Sequence, residues 1–112
     1  MGKNTVVEFA SAQILEALAN PLRIRILKAL LEKRYCQCDL AAKFEEHPVN
    51  ISRHLAVLSR AGLVLIVKEG NKTFPELVHP QVAEILKITE FIIHKTASKK
   101  AREAASLKAA LS

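Results

Sequence analysis

The amino-acid sequence predicts a mainly α-helical fold with one small β-hairpin, in the element order α-α-α-α-β-β-α. Apolar residues recur every three or four positions through most of the chain, which is the period of one helix face. Asn-Pro and His-Pro pairs stand where two of these patterns begin, and proline is favoured at the first position of a helix. A β-branched apolar run followed by Glu-Gly-Asn interrupts the helical pattern and predicts the hairpin.

The first two helices are predicted over residues 5–19 and 21–33. The apolar positions of the first are Val7, Ala10, Ile14 and Leu18. Asn20 is a favoured N-cap residue, and Pro21 begins the second helix. The second helix turns its basic residues away from an apolar face that consists of Leu22, Ile26, Leu27, Leu30 and Leu31.

The next two helices are predicted over residues 35–44 and 48–60. In the short third helix, Leu40, Ala41 and Phe44 point inward. A turn at residues 45–48 separates it from the fourth helix, in which Ile51, Leu55 and Leu58 form a buried stripe. Gly62 is expected to end the fourth helix in the left-handed conformation that glycine adopts without strain.

The hairpin is predicted from strands over residues 63–68 and 72–78, joined by a turn at 69–71. Gly70 and Asn71 both tolerate a positive φ. Pro75 cannot donate a backbone hydrogen bond, so the second strand should be an edge strand or be cut short. One long helix is predicted over residues 79–111, and it becomes rich in alanine and basic residues after Lys95.

Length and composition point to one intracellular domain over residues 1–112. The 112 residues are 50% hydrophobic, which excludes a disordered chain. The longest apolar run, residues 63–67, is too short to span a bilayer, and the N-terminus lacks the apolar core of a signal peptide. We therefore expect a cytoplasmic protein without membrane contact. The net charge of +6 favours a polyanionic partner.

The third and fourth helices, joined by a short turn and followed by a hairpin, form the pattern of a winged helix-turn-helix. A helix reads base edges only if its outer face carries hydrogen-bond donors and acceptors. The first two turns of the fourth helix carry such donors and acceptors. The hairpin adds basic and polar side chains that are placed to contact phosphates. The predicted contacts to double-stranded DNA are Asn50, Ser52, Arg53, His54, Lys68, Asn71 and Lys72.

Two segments resemble the ArsR/SmtB family of transcriptional repressors: LANPLRIRIL at residues 18–27 and NISRHLAVLSRAGLV at 50–64. Residues 68–70 match the family's usual wing turn. The resemblance implies a homodimer formed by the first and last helices, and an operator that is an imperfect palindrome. It also implies release of the operator by a metal or another inducer. The last helix would pack the dimer through Val82, Ile85, Leu86, Phe91 and Ile92, although any one of them could instead belong to the core of its own chain.

Cys36 and Cys38 lie where metalloid-sensing members of that family carry a Cys-Val-Cys-Asp-Leu segment on the third helix. Two thiolates are soft ligands that suit As(III), Sb(III), Cd(II) or Pb(II) as an inducer, with no obligatory cofactor. Residues i and i+2 of an ideal helix diverge by about 200°, so chelation by both predicts distortion of the helix start. A thiol redox switch at the same pair, in which oxidation or persulfidation releases DNA, is the alternative. Simple apolar packing of both thiols would leave a basic DNA-binding protein that senses nothing.

An enzyme is not expected. The sequence has three glycines and no glycine-rich loop that could cradle a phosphate. It also has no third cysteine, so a third ligand would come from solvent, a small thiol or another side chain. His79, Glu90 and His94 do not reproduce the spacing of the family's metal site on the last helix.

Overall fold

The computed structural model describes the backbone of residues 3–111 and the side chains of residues 5–111. The predicted element order is confirmed. The elements are α1 (Lys3–Leu18), α2 (Pro21–Glu32), α3 (Gln37–Lys43), α4 (Pro48–Arg60), β1 (Val64–Glu69), β2 (Lys72–Leu77) and α5 (Val82–Leu111). The chain divides into two compact units, one ending at Pro80 and the other beginning at Gln81.

The first unit is built around a core of aliphatic side chains from its helices. The Asn20 side chain caps α2 as predicted, because its Oδ1 accepts hydrogen bonds from the backbone N–H groups of Leu22 and Arg23 at 2.9 and 3.1 Å. The predicted stripe of α4 is buried. The side chains at or below 2% exposure include Ile26, Leu27, Leu40, Ile51, Leu55 and Leu58.

Three predicted helix starts are wrong. The first helix starts at Lys3 rather than at residue 5. The third helix starts at Gln37 rather than at residue 35, because Cys36 has extended backbone angles (φ −77°, ψ 162°) and serves as the N-cap. The last helix starts at Val82 rather than at residue 79. Pro80 disfavours helical geometry in the residue before it, which explains why His79 lies outside the helix.

The connection between α3 and α4 consists of residues 44–47, with Phe44 half-buried just after the end of α3. Glu45 takes a positive φ of 53°, which reverses the chain direction in this short turn. His47 caps α4, because its Nδ1 accepts a hydrogen bond from the Val49 backbone N–H at 3.1 Å. The two helices therefore stand in the arrangement of a helix-turn-helix.

The hairpin is antiparallel, and its register runs from Val64 opposite Leu77 to Glu69 opposite Lys72. Gly70 takes a positive φ of 61° in the two-residue loop, whereas Asn71 does not, so only one of the two expected left-handed residues is used. Both strands of this two-stranded sheet are edges, which is why it tolerates Pro75 in β2.

Helices α1 and α5 each expose large apolar side chains. In α1, Val7 and Phe9 are 62% and 66% exposed; in α5, only Val82 and Leu86 are buried, and Phe91 is 60% exposed. Such faces are costly to leave in water and indicate burial against another surface. Among the described helices, none combines the length and the hydropathy needed to cross a membrane.

Replacing Gly62 with alanine is expected to destabilise the fold by about 1–2 kcal/mol, because φ at this position is +79°. A methyl group would meet no atom within 4 Å, so the cost comes from the backbone conformation alone. Thermal unfolding should show a Tm lower by roughly 4–8 °C per kcal/mol. Gly62→Asn should lose less, since asparagine tolerates this region; equal losses for both variants would contradict the explanation.

Candidate functional site

The outer face of α4 carries the side chains predicted to read DNA. Ser52 and Arg53 are exposed in the first two turns, while Asn50 and His54 are half-buried. In a helix-turn-helix, the N-terminal residues of the second helix reach the base edges. Ser52 and Arg53 thus present their hydroxyl and guanidinium groups to solvent near the end of α4 that a helix-turn-helix uses for base contacts.

Asn50 is held by a residue of the preceding turn. Its Nδ2 donates a hydrogen bond to Glu46 Oε2 at 2.7 Å. An asparagine reads adenine with both its amide nitrogen and its amide oxygen. The Nδ2 amide has a second N–H, so this N–H and Oδ1 could read a base with the bond to Glu46 intact.

His54 connects α4 to the end of α1 through Arg23. The Arg23 guanidinium donates to the backbone oxygens of Ala17 and Glu16 at 2.6 and 3.1 Å, and its Nη1 lies 3.1 Å from His54 Nδ1. Burial lowers the pKa of His54, and repulsion from Arg23 and Arg53 lowers it further. The sequence pattern predicts Arg23 on the outer face of α2. In the structure, its side chain instead links α2 to α1 and α4. His54 therefore orients α4, and its Nδ1 is already engaged.

A cavity of about 300 Å³ is lined by residues of α3, α4 and the hairpin. It brings together Ser52 and Lys68, two of the predicted DNA contacts. It also includes Gln37 and Thr73, which the sequence reasoning missed. Thr73 lies opposite Lys68 in the strand register, and that pairing was the signal that could have indicated it. The other predicted wing contacts, Asn71 and Lys72, lie at the hairpin tip.

Arg34 clamps the hairpin to the loop between α2 and α3. Its guanidinium donates to Glu69 Oε1 at 2.5 Å, lies 3.7 Å above the Phe74 ring centroid and is 4.0 Å from Glu76 Oε1. A planar guanidinium can pair with a carboxylate and stack on a ring at the same time. One side chain, two positions before Cys36, thus contacts both strands of the wing.

The Arg34–Glu69 contact predicts that the hairpin loosens in acid. The hydrogen bond from Arg34, followed by its charge, holds the pKa of Glu69 below its ordinary value of 4.5. A carboxyl with a lowered folded-state pKa stabilises the fold fully above pH 4.5 and loses that contribution as the pH falls through the lowered value. Phe74 ring resonances followed by NMR should report the loss. Glu69→Gln should remove this titration and Glu76→Gln should retain it; an unchanged profile in Glu69→Gln would contradict the assignment.

Cys36 and Cys38 form a disulfide at the start of α3, with their Cα atoms 5.4 Å apart. Cys36 is buried at 1% exposure, while Cys38 faces solvent. Cys36 precedes the helix in extended conformation, so the two cysteines do not both lie within regular helix. The distortion expected on chelation of both sulfurs stays a prediction. The two sulfurs and a carboxylate oxygen of Asp39 all lie within 4.8 Å of one another.

Gln37, between the two cysteines, contacts the first residue of α4. Its Nε2 donates to the backbone oxygen of Pro48 at 3.3 Å. Gln37 also lines the cavity beside Ser52 and Lys68. The residue between the two cysteines therefore contacts α4, and Arg34, two positions before Cys36, contacts the hairpin.

Comparison with protein families agrees with this architecture. The family model described as "Bacterial regulatory protein, arsR family" matches residues 20–65, from the cap of α2 into β1. An uncharacterised HTH-type transcriptional regulator of Methanocaldococcus jannaschii, MJ1325, is 36% identical over 81 residues. That match covers 71% of this chain and 91% of the relative.

Solved structures share the fold. The crystal structure of Mycobacterium tuberculosis Rv0081 superposes with a TM-score of 0.74 at 29% identity, covering 85% of this chain and 96% of that one. The structure of AntR, an antimony-specific transcriptional repressor, superposes with a TM-score of 0.67 at 26% identity, covering 87% and 86%.

Proposed function

The chain belongs to the ArsR family of DNA-binding transcriptional regulators, and from this premise we propose a homodimeric repressor that a thiophilic metal or metalloid releases from its operator. The observation that carries this proposal is the position of the cysteine pair. Gln37, between the cysteines, donates to Pro48 of α4, and Arg34, just before them, pairs with Glu69 of the wing. A ligand at the sulfurs would act on both DNA-binding elements at once.

The dimer is supported by the exposed apolar faces of α1 and α5. Each helix presents large side chains to solvent, such as Phe9 in α1 and Phe91 in α5. A second copy of the chain would cover them with the same surface, as in a two-fold dimer. Two recognition helices related by such an axis read two half-sites of a palindrome.

In this proposal, residues of the α4 face contact bases and residues of the hairpin contact phosphates. Ser52 and Arg53 are the base-reading side chains, and Lys68 and Lys72 pair with phosphates. Dimerisation doubles the charge of +6 to about +12 on one polyanion. Asn50 contributes through its side-chain amide, while His54 sets the orientation of α4.

The inducer in this proposal binds both thiolates. Soft cations and metalloids such as As(III), Sb(III), Cd(II) and Pb(II) suit sulfur ligands. The similarity to an antimony-specific repressor supports this class of inducer. Because α3 begins between the two cysteines, a ligand that bridges them would change the backbone at Gln37 and, with it, the contact to Pro48.

A thiol redox switch is the second candidate, and the Cys36–Cys38 disulfide favours it. In this version, oxidation of the two thiols to the disulfide changes DNA affinity, and a small thiol reverses the change. The exposure of Cys38 gives an oxidant or a thiol direct access to one sulfur.

The deciding experiment measures binding of the protein to a duplex from its own promoter region. Arsenite, Cd(II), Zn(II) and an oxidant are each titrated into the complex with reduced wild-type protein and with Cys36→Ser and Cys38→Ser. The proposal expects release in the wild type only, and Lys68→Ala should reduce the salt slope by about 1. Equal responses of all three proteins would overturn the sensing role. Absence of salt-sensitive binding to any operator-like duplex would overturn the repressor.

A further inference from the structure

The three donors at the start of α3 form a more complete metal site than two thiols alone. The Cys36 and Cys38 sulfurs and an Asp39 carboxylate oxygen lie within 4.8 Å of one another. The Asp39 backbone N–H donates to Cys36 Sγ at 3.3 Å, which ties the aspartate's backbone to the first sulfur. We propose that Asp39 is the third ligand, so that the site binds a divalent cation, Cd(II) or Zn(II), in preference to arsenite. This inference rests on the proposed function and deepens it by naming the class of inducer.

The two sulfurs and one carboxylate explain the preference for a divalent cation over arsenite. The sequence has two cysteines, so one chain cannot supply the three thiolates that As(III) favours. Zn(II) accepts thiolate and carboxylate together, whereas the softest ions select sulfur alone. Cys38 and Asp39 face solvent, so water can complete the coordination of a divalent cation on that side.

The disulfide and the metal-bound state exclude each other. Two molecules of a small thiol reduce the Cys36–Cys38 bond by two electrons and become one disulfide, while two protons pass to the cysteine sulfurs. Binding of the cation then displaces both protons, because the ligands are thiolates. The cellular thiol pool would therefore decide whether the cation can be sensed.

The test is titration of the reduced, full-length protein with Cd(II), Zn(II) and arsenite under anaerobic conditions after removal of the reductant. Thiolate-to-metal absorption reports Cd(II) binding, and competition with a chromophoric chelator reports Zn(II). Asp39→Asn should lower the affinity for both cations by about tenfold or more. Mutation of residues that only hydrogen-bond to the ligands already lowers metal affinity by about 10–100-fold. Arsenite affinity should not change. Asp39→Glu should recover cation affinity, and Glu32→Gln, an exposed acid at the end of α2, is the matched control.

Thermal unfolding of each variant separates loss of a ligand from loss of the fold. Wild-type cation affinity in folded Asp39→Asn, or arsenite bound more tightly than Cd(II), would overturn the third ligand. Release of DNA is scored in a separate assay. If cations bind through Asp39 but do not release DNA, the metal site is supported and the proposed sensing function is refuted.

Discussion

Replacing Arg53 with alanine is expected to weaken operator binding by roughly 5- to 150-fold, the loss that corresponds to about 1–3 kcal/mol. Arg53 is exposed in the second turn of α4, on the face that also carries Ser52. A guanidinium can donate two hydrogen bonds to the major-groove edge of guanine, which alanine cannot replace. The loss should be largest on the operator and small on unrelated DNA. Fluorescence anisotropy with both duplexes measures the two affinities.

Arg60→Ala provides the matched control in the same helix. Arg60 is exposed like Arg53 but lies in the last turn of α4, far from the end where base contacts are made. Removing it takes away the same charge and should weaken both duplexes to a similar, smaller extent. If Arg53→Ala and Arg60→Ala lower operator affinity equally, with no change in specificity, Arg53 contacts phosphate rather than bases.

Local patterns in the sequence were sufficient for the order of elements. The Asn20-Pro21 and His47-Pro48 pairs indicated the starts of α2 and α4, because such signals act within a few residues. The left-handed Gly62 likewise marked the end of α4. The start of α3 was misplaced because a cysteine cap is an unusual signal, and sulfur is not among the favoured capping atoms.

The DNA contacts stay a prediction, and the local partners of the residues involved could not be read from the sequence. His54 meets Arg23 across 31 positions, and Arg34 meets Glu69 across 35. No periodicity indicates such pairs, because they depend on how helices and hairpin pack. The same holds for Gln37, whose contact to Pro48 follows from the geometry of the turn between α3 and α4.

Replacing Cys36 with serine is expected to abolish the response to a thiophilic ligand and to leave the fold intact. Cys36 Sγ caps α3 by accepting the Asp39 backbone N–H, and a serine hydroxyl performs that task well. Cys36→Ala removes the same ligand atom but also the cap, which should lower the free energy of unfolding by about 0.5–2 kcal/mol. Cys38→Ser, at an exposed position, should lose the response without a structural cost.

Comparing these three variants with reduced wild-type protein separates sensing from structure. In the wild type, the inducer should shift operator affinity by about 5- to 150-fold, the usual range of coupling between two sites. All three variants should show no shift, while thermal unfolding distinguishes Cys36→Ala alone. A full shift in Cys36→Ser would mean that the buried sulfur is a helix cap and not a ligand. If only Cys36→Ala loses the shift in operator affinity, the loss results from removal of the helix cap. The response would then depend on the integrity of α3 rather than on sulfur coordination.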